Sequence, residues 1–127
     1  MSGKSIIQTD DAPAAIGPYS QAVRSGELIF LSGQIPLDPE TMQIVADDVE
    51  TQARQVFSNL QAVASAADSS LDRAVKLTIY MTDLGHFSTV NDIMAEMLKP
   101  PYPARATIEV SALPKGALVE IDAILAG

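Results

Sequence analysis

From residue 49 onward, the apolar positions Val49, Ala53, Val56, Phe57, Leu60, Val63, Ala64 and Ala67 recur three and four residues apart. That is the spacing of one face of an α-helix. Asp47, with Glu50 three positions later, has the pattern of a capping box, in which the Asp oxygen accepts from the first free N–H groups of the helix. The period then drops to two. Val75, Leu77, Ile79 and Met81 alternate with Lys76, Thr78, Tyr80 and Thr82, which predicts a strand with one buried face. A second helix is predicted from about His86 to Leu98, with Phe87, Val90, Met94 and Met97 on one stripe. Pro100, Pro101 and Pro103 stop it, because proline has no N–H to continue the ladder.

The flanking thirds read as strands and turns. Residues 5–8 form an opening strand, and residues 12–18, with two prolines and a glycine, a loop. Residues 19–24 and 27–32 are two strands around Ser25-Gly26, a hairpin signal. Residues 33–41, holding Pro36, Asp38 and Pro39, are rich in turn formers. Two closing strands, 105–110 and 118–125, flank the loop 111–117. The order is three strands, helix, strand, helix, two strands. It predicts an α+β layer with both helices packed on one face of a six-stranded mixed sheet. The other face stays open, and apolar residues there call for a partner chain, so an oligomer is expected.

A chain of 127 residues, 47% hydrophobic, suits one domain over 1–127 with a sizeable core, and its composition excludes disorder. Without cysteine there is no disulfide framework and no thiolate nucleophile. A single histidine leaves few soft ligands, so no metal site is expected. Eight Lys and Arg stand against sixteen Asp and Glu, a net charge of −8, and no basic cluster could neutralise a run of phosphates. A nucleic-acid partner is therefore not expected. No cationic stretch followed by an apolar run opens the chain, and no apolar run approaches a membrane span. The expected compartment is the cytoplasm.

Candidate chemistry gathers near strand ends. Arg105, Thr107 and Glu109 share one strand face. Arg105 follows a proline-fixed loop, where its guanidinium either forks a carboxylate or pairs with a neighbouring surface acid. Glu120 lies on the mixed face of the last strand, with Leu118, Asp122 and Ile124. It is either a desolvated general base or an ordinary solvent-facing carboxylate. Asn91, beside the apolar stripe of the second helix, is either a structural hydrogen-bonder or a pocket wall. Tyr19 follows Gly17-Pro18, and Ser32 precedes Gly33, where backbone can approach a ligand closely. His86 has no metal partner four positions on and no Ser or Cys motif beside it, so it reads as a surface residue.

Four stretches resemble the Rid family, the reactive-intermediate (enamine/imine) deaminases. They are Ala15-Ile16-Gly17-Pro18-Tyr19-Ser20-Gln21-Ala22, Leu31-Ser32-Gly33-Gln34-Ile35-Pro36, Pro103-Ala104-Arg105 running to Ile108-Glu109-Val110, and Leu113-Pro114-Lys115-Gly116 leading into Val119-Glu120-Ile121. The likeness covers nearly the whole chain in order. It implies a chorismate-mutase-like fold and homotrimers with clefts between subunits. It also implies hydrolysis of 2-aminoacrylate, 2-iminobutanoate and 2-iminopropanoate to 2-keto acids and ammonia, without a cofactor. By the same resemblance Arg105 grips the substrate carboxylate and Glu120 positions or activates water. Tyr19, Ser32, Gly33, Asn91 and Thr107 match pocket positions. Two departures stand out: Thr107 replaces a cysteine common in the family, and Met94, Met97 and Leu98 replace aromatic residues. Two rival readings remain, a non-catalytic module binding small acids and a ribonuclease or translation inhibitor.

Overall fold

A computed structural model describes residues 3–127. Its strands are β1 (Lys4–Ile7), β2 (Ala22–Ser25), β3 (Leu28–Gln34), β4 (Ala74–Met81), β5 (Ala104–Glu109) and β6 (Val119–Ala126). Its helices are α1 (Val49–Ala66) and α2 (Phe87–Met97). The sheet order is β1-β2-β3-β6-β4-β5. Each neighbouring pair is antiparallel except β4–β5, which is parallel. Parallel strands need a crossover, and α2 supplies it. The last two strands in sequence are thus separated by β4, and β6 inserts between β3 and β4.

Both helices cover one face, giving the expected α+β, chorismate-mutase-like layering. α1 packs on β3 and β6, and α2 lies beside α1. The whole expected α1 stripe is buried, with Val56, Phe57, Leu60 and Val63 fully so, against Ile29, Leu77, Ile79, Ile121 and Leu125 of the sheet. Two buried amides on α1 tie loops to this core. Gln52 accepts from Leu118 N–H at 2.8 Å and donates to the Ala46 carbonyl at 2.8 Å. Asn59 donates to the Leu37 carbonyl at 3.0 Å. On the opposite face Ile6, Leu28, Phe30 and Ile108 are exposed.

Several boundaries differ from the sequence reading. The cap of α1 is Asp48, whose Oδ2 accepts from Thr51 N–H at 2.8 Å. Asp47 stands one residue too early, because a cap must directly precede the first helical residue to reach its free donors. Val75 is exposed although its alternating partners Leu77, Ile79 and Met81 are fully buried. The register against β6 shifts between Ala74 and Lys76, and this bulge turns Val75 out of the pleat while Ala74 faces inward. In α2 the inward positions are Val90, Ile93 and Met94, followed by Leu98, whereas Met97 points outward. Tyr19 to Gln21 precede the strand, and Gly33 and Gln34 lie inside β3 rather than in a turn. Ser32 and Gly33 together face the single residue Asp122, a second bulge, between the pairs Leu31–Ala123 and Gln34–Ile121.

Candidate active site

Arg105 pairs in register with Leu77 of β4, and Leu77 pairs with Ala123 of β6. All three therefore face the helices. At the sheet edge no further strand covers Arg105, and its side chain rises beside α2. Its Nη1 donates to Asn91 Oδ1 at 2.7 Å and to Met94 Sδ at 3.8 Å. Its Cζ stands 4.9 Å from the centre of the Phe87 ring. Asn91, Met94, Ala95, Tyr102, Pro103 and Arg105 line a cavity of about 400 Å³. Thr107 follows on the same face, half-buried opposite Ile79. Glu109, next along, accepts from Leu84 N–H at 2.9 Å and so holds the turn that leads into α2.

The remaining candidates form a second group. Glu120 pairs with Tyr80 and lies on the face away from the helices. Its carboxyl packs against Gly33. A Cβ at Gly33 would clash with Glu120 Oε2 and lie 3.0 Å from its Cδ. Burial pushes the Glu120 carboxyl above its ordinary range, and the negative charge of Asp122 raises it further. Asp122 in turn accepts from the Tyr80 hydroxyl at 2.9 Å. That bond, with burial second, raises Tyr80 above the ordinary phenol range and keeps it protonated. Tyr19, which is exposed, and Gly33 both line another cavity of about 410 Å³, walled also by Ile16, Leu37, Met42 and Lys115. Gly17, at φ 127°, turns the chain just before Tyr19. The Ser32 hydroxyl donates to the Ser20 carbonyl at 2.6 Å, which ties the Tyr19 loop to β3.

The structure thus joins Arg105, Asn91 and Thr107 on one side and Tyr19, Ser32, Gly33 and Glu120 on the other. It does not bring Arg105 and Glu120 together within one chain, because they project from opposite faces of the sheet. Sequence reasoning placed Phe87 and Met94 in the core stripe and missed their contact with Arg105. The spacing Phe87, Asn91, Met94 (i, i+4, i+7) was the available signal, since it aligns all three on one side of α2. It placed Asp122 on the face of Glu120 and left Tyr80, the neighbour on β4, out of that group. His86 is a surface residue as expected, 3.8 Å from the Asp83 carboxylate. Among the described residues no group of three or more His, Asp or Glu side chains could hold a metal ion, and no helix is long and apolar enough to cross a membrane.

A family model described as endoribonuclease L-PSP matches residues 9–126. The RutC family protein y4sK of Sinorhizobium fredii is 50% identical over 119 residues, covering 94% of this chain and 94% of that protein. A protein of Dermatophagoides farinae named 2-iminobutanoate/2-iminopropanoate deaminase is 42% identical over 125 residues, or 98% of either chain. Among solved structures, RidA from an Antarctic Psychrobacter superposes with a TM-score of 0.93 at 48% identity. The match covers 97% of this chain and 99% of that one, so the two share the six-stranded sheet and its two helices.

Proposed function

We propose an activity from one premise: the chain belongs to the endoribonuclease L-PSP family, which takes in the Rid and RutC proteins. The activity is hydrolytic deamination of reactive 2-enamine and 2-imine acids. 2-Aminoacrylate, 2-iminobutanoate and 2-iminopropanoate are the substrates, and 2-keto acids and ammonia the products. The observation that carries this reading is Arg105 itself. Its guanidinium stands at a cavity of about 400 Å³ and forms no ion pair with any described carboxylate. An unpaired guanidinium in a concave site suits a small carboxylate, which it can grip with two parallel bonds.

The chemistry needs few groups. The C2 carbon of an imine is already electrophilic. Water adds there as Glu120, a carboxylate, takes one of its protons and passes it to the imine nitrogen, giving a neutral carbinolamine. Glu120 then takes the carbinolamine hydroxyl proton and delivers it to the amine nitrogen, so that ammonia leaves and the carbonyl remains. A raised pKa brings that base nearer to neutral pH, where general acid–base help is typically worth 10²–10⁴-fold. Tyr19, Ser32, Gly33, Asn91 and Thr107 shape the pocket, and no cofactor enters the reaction.

Because Arg105 and Glu120 occupy opposite faces, a site using both draws Arg105 from one copy and Glu120 from another. Exposed Ile6, Leu28, Phe30 and Ile108 on the face of Glu120 favour such a contact between copies. We assign the functional form as a cytoplasmic homotrimer with clefts between subunits.

A coupled assay tests the activity. An amino-acid oxidase or threonine dehydratase generates the imine in situ, semicarbazide traps it, and the protein is added or withheld. Suppressed trapping that disappears in Arg105→Ala supports the deaminase, whereas no suppression across several imine precursors rejects it. The second reading, a binding module for small acids, draws on Arg105, Asn91 and Tyr102 lining one cavity apart from Glu120. Keto-acid binding without turnover selects it. RNA cleavage is disfavoured by the net charge of −8. Salt-sensitive RNA binding by pure trimer would revive it.

A further inference from the structure

Arginine presents five N–H donors in a rigid plane, and two of its edges can fork a carboxylate: Nη1 with Nη2, or Nε with Nη2. In Arg105 both Nη1 donors have partners, Asn91 Oδ1 at 2.7 Å and Met94 Sδ at 3.8 Å. Among the described residues no acceptor meets Nε or Nη2. The Arg105 Cζ stands over the Phe87 ring, 4.9 Å from its centre. Ring, amide and thioether come from positions 87, 91 and 94 of one helix, so α2 holds the group through three side chains at once.

We propose that Phe87 is a positioning residue for Arg105. With Asn91 and Met94 it holds the guanidinium so that the side-on Nε–Nη2 edge alone is offered to a substrate carboxylate. This rests on Arg105 being the carboxylate site of the proposed deaminase. An exposed arginine otherwise samples many rotamers, and a ligand must order it at a cost in affinity. The aromatic face, attracted to the cation, removes that cost before the ligand arrives. Asn91 then acts through Arg105, since its carbonyl oxygen is already engaged there. The carboxylate docks in the plane of the guanidinium beside Nε, with Met94 and Asn91 behind it.

The test is Phe87→Leu, which keeps an apolar side chain on α2 and removes the π face, compared with Phe87→Tyr and Met94→Leu. Calorimetry gives the Kd for 2-oxobutanoate, and the coupled assay separates KM from kcat on 2-iminobutanoate. Phe87→Leu is expected to weaken Kd and raise KM about threefold to tenfold, with kcat within about twofold because binding rather than chemistry is altered. Phe87→Tyr restores the affinity, and Met94→Leu weakens it about twofold by removing the sulfur acceptor. Unchanged Kd in Phe87→Leu overturns the proposal, as does equal weakening by Leu and Tyr. A second readout needs no substrate. The Arg105 Nε–Hε resonance should be motionally restricted and ring-current shifted in the wild type and should lose both properties in Phe87→Leu. Wild-type protein that binds no 2-oxobutanoate and hydrolyses no imine removes the deaminase reading. The resonance still decides positioning, and no difference between wild type and Phe87→Leu rejects it.

Discussion

The carboxyl group of Glu120 occupies the space that a Cβ at Gly33 would fill. Glycine at 33 is thus required by a close approach: the β3 bulge at Ser32–Gly33 brings backbone against the acid on the neighbouring strand. Gly33→Ala must push the Glu120 carboxyl aside. The far end of a glutamate moves readily, so the fold survives, with a Tm loss of about 2–5 °C for roughly 1 kcal/mol. Deaminase kcat should fall at least about tenfold, because the base leaves its position. Thermal unfolding and the coupled assay on the same preparation check both parts.

Arg105 has no substitute nearby. Two charge-assisted bonds at roughly 1.5–3 kcal/mol each predict a loss of about 10²–10⁴-fold in kcat/KM for Arg105→Ala. Arg105→Lys should recover less than a tenth of the wild-type value, since an ammonium cannot fork a carboxylate. Tm should change little in either variant, the side chain being exposed. A lysine variant with near-wild-type kcat/KM would show that charge alone suffices.

Glu120 titrates above its ordinary value because it is buried and faces Asp122. A carboxyl whose folded pKa is raised favours the folded state while protonated. That contribution is complete below the unfolded pKa and lost as pH rises through the folded one. Glu120→Gln should therefore match the wild type in Tm near pH 4 and exceed it near pH 7. Asp122→Asn removes the second cause, so the acidic limb of the pH–rate profile should move to lower pH. An unmoved limb would assign it to another group.

Gln52 joins α1 to the entry of β6, with both ends of its buried amide engaged. Gln52→Leu fills the same space but leaves the Leu118 N–H and the Ala46 carbonyl without a partner. Unpaired buried groups cost about 1–3 kcal/mol each, and relaxation of the Ala46 loop returns part of that. A destabilisation of roughly 2–4 kcal/mol is expected, read as a lower urea midpoint at constant m.

Much of this protein was determined locally. The stripe Val49 to Ala67 specified α1, because a helix buries one face at a spacing its own backbone imposes. Alternation in β4 and β6 likewise marked a buried and an open face, and the strand after the proline loop placed Arg105 at a mouth. Bulges were less legible. Val75 continued the apolar alternation but was turned outward by a register shift that depends on β6, a strand some fifty residues away.

Only the tertiary structure decided how these parts meet. Alternation shows that a strand has two faces; it does not say which face of one strand continues which face of another, since strand order and register are non-local. The insertion of β6 between β3 and β4 placed Glu120 against Gly33 and turned it away from the helices. The parallel pairing of β5 with β4 set Arg105 on the helix side, under Phe87, Asn91 and Met94. Residues carrying both proposed roles were visible in the chain. Their separation across the sheet followed from pairings that no local pattern encodes.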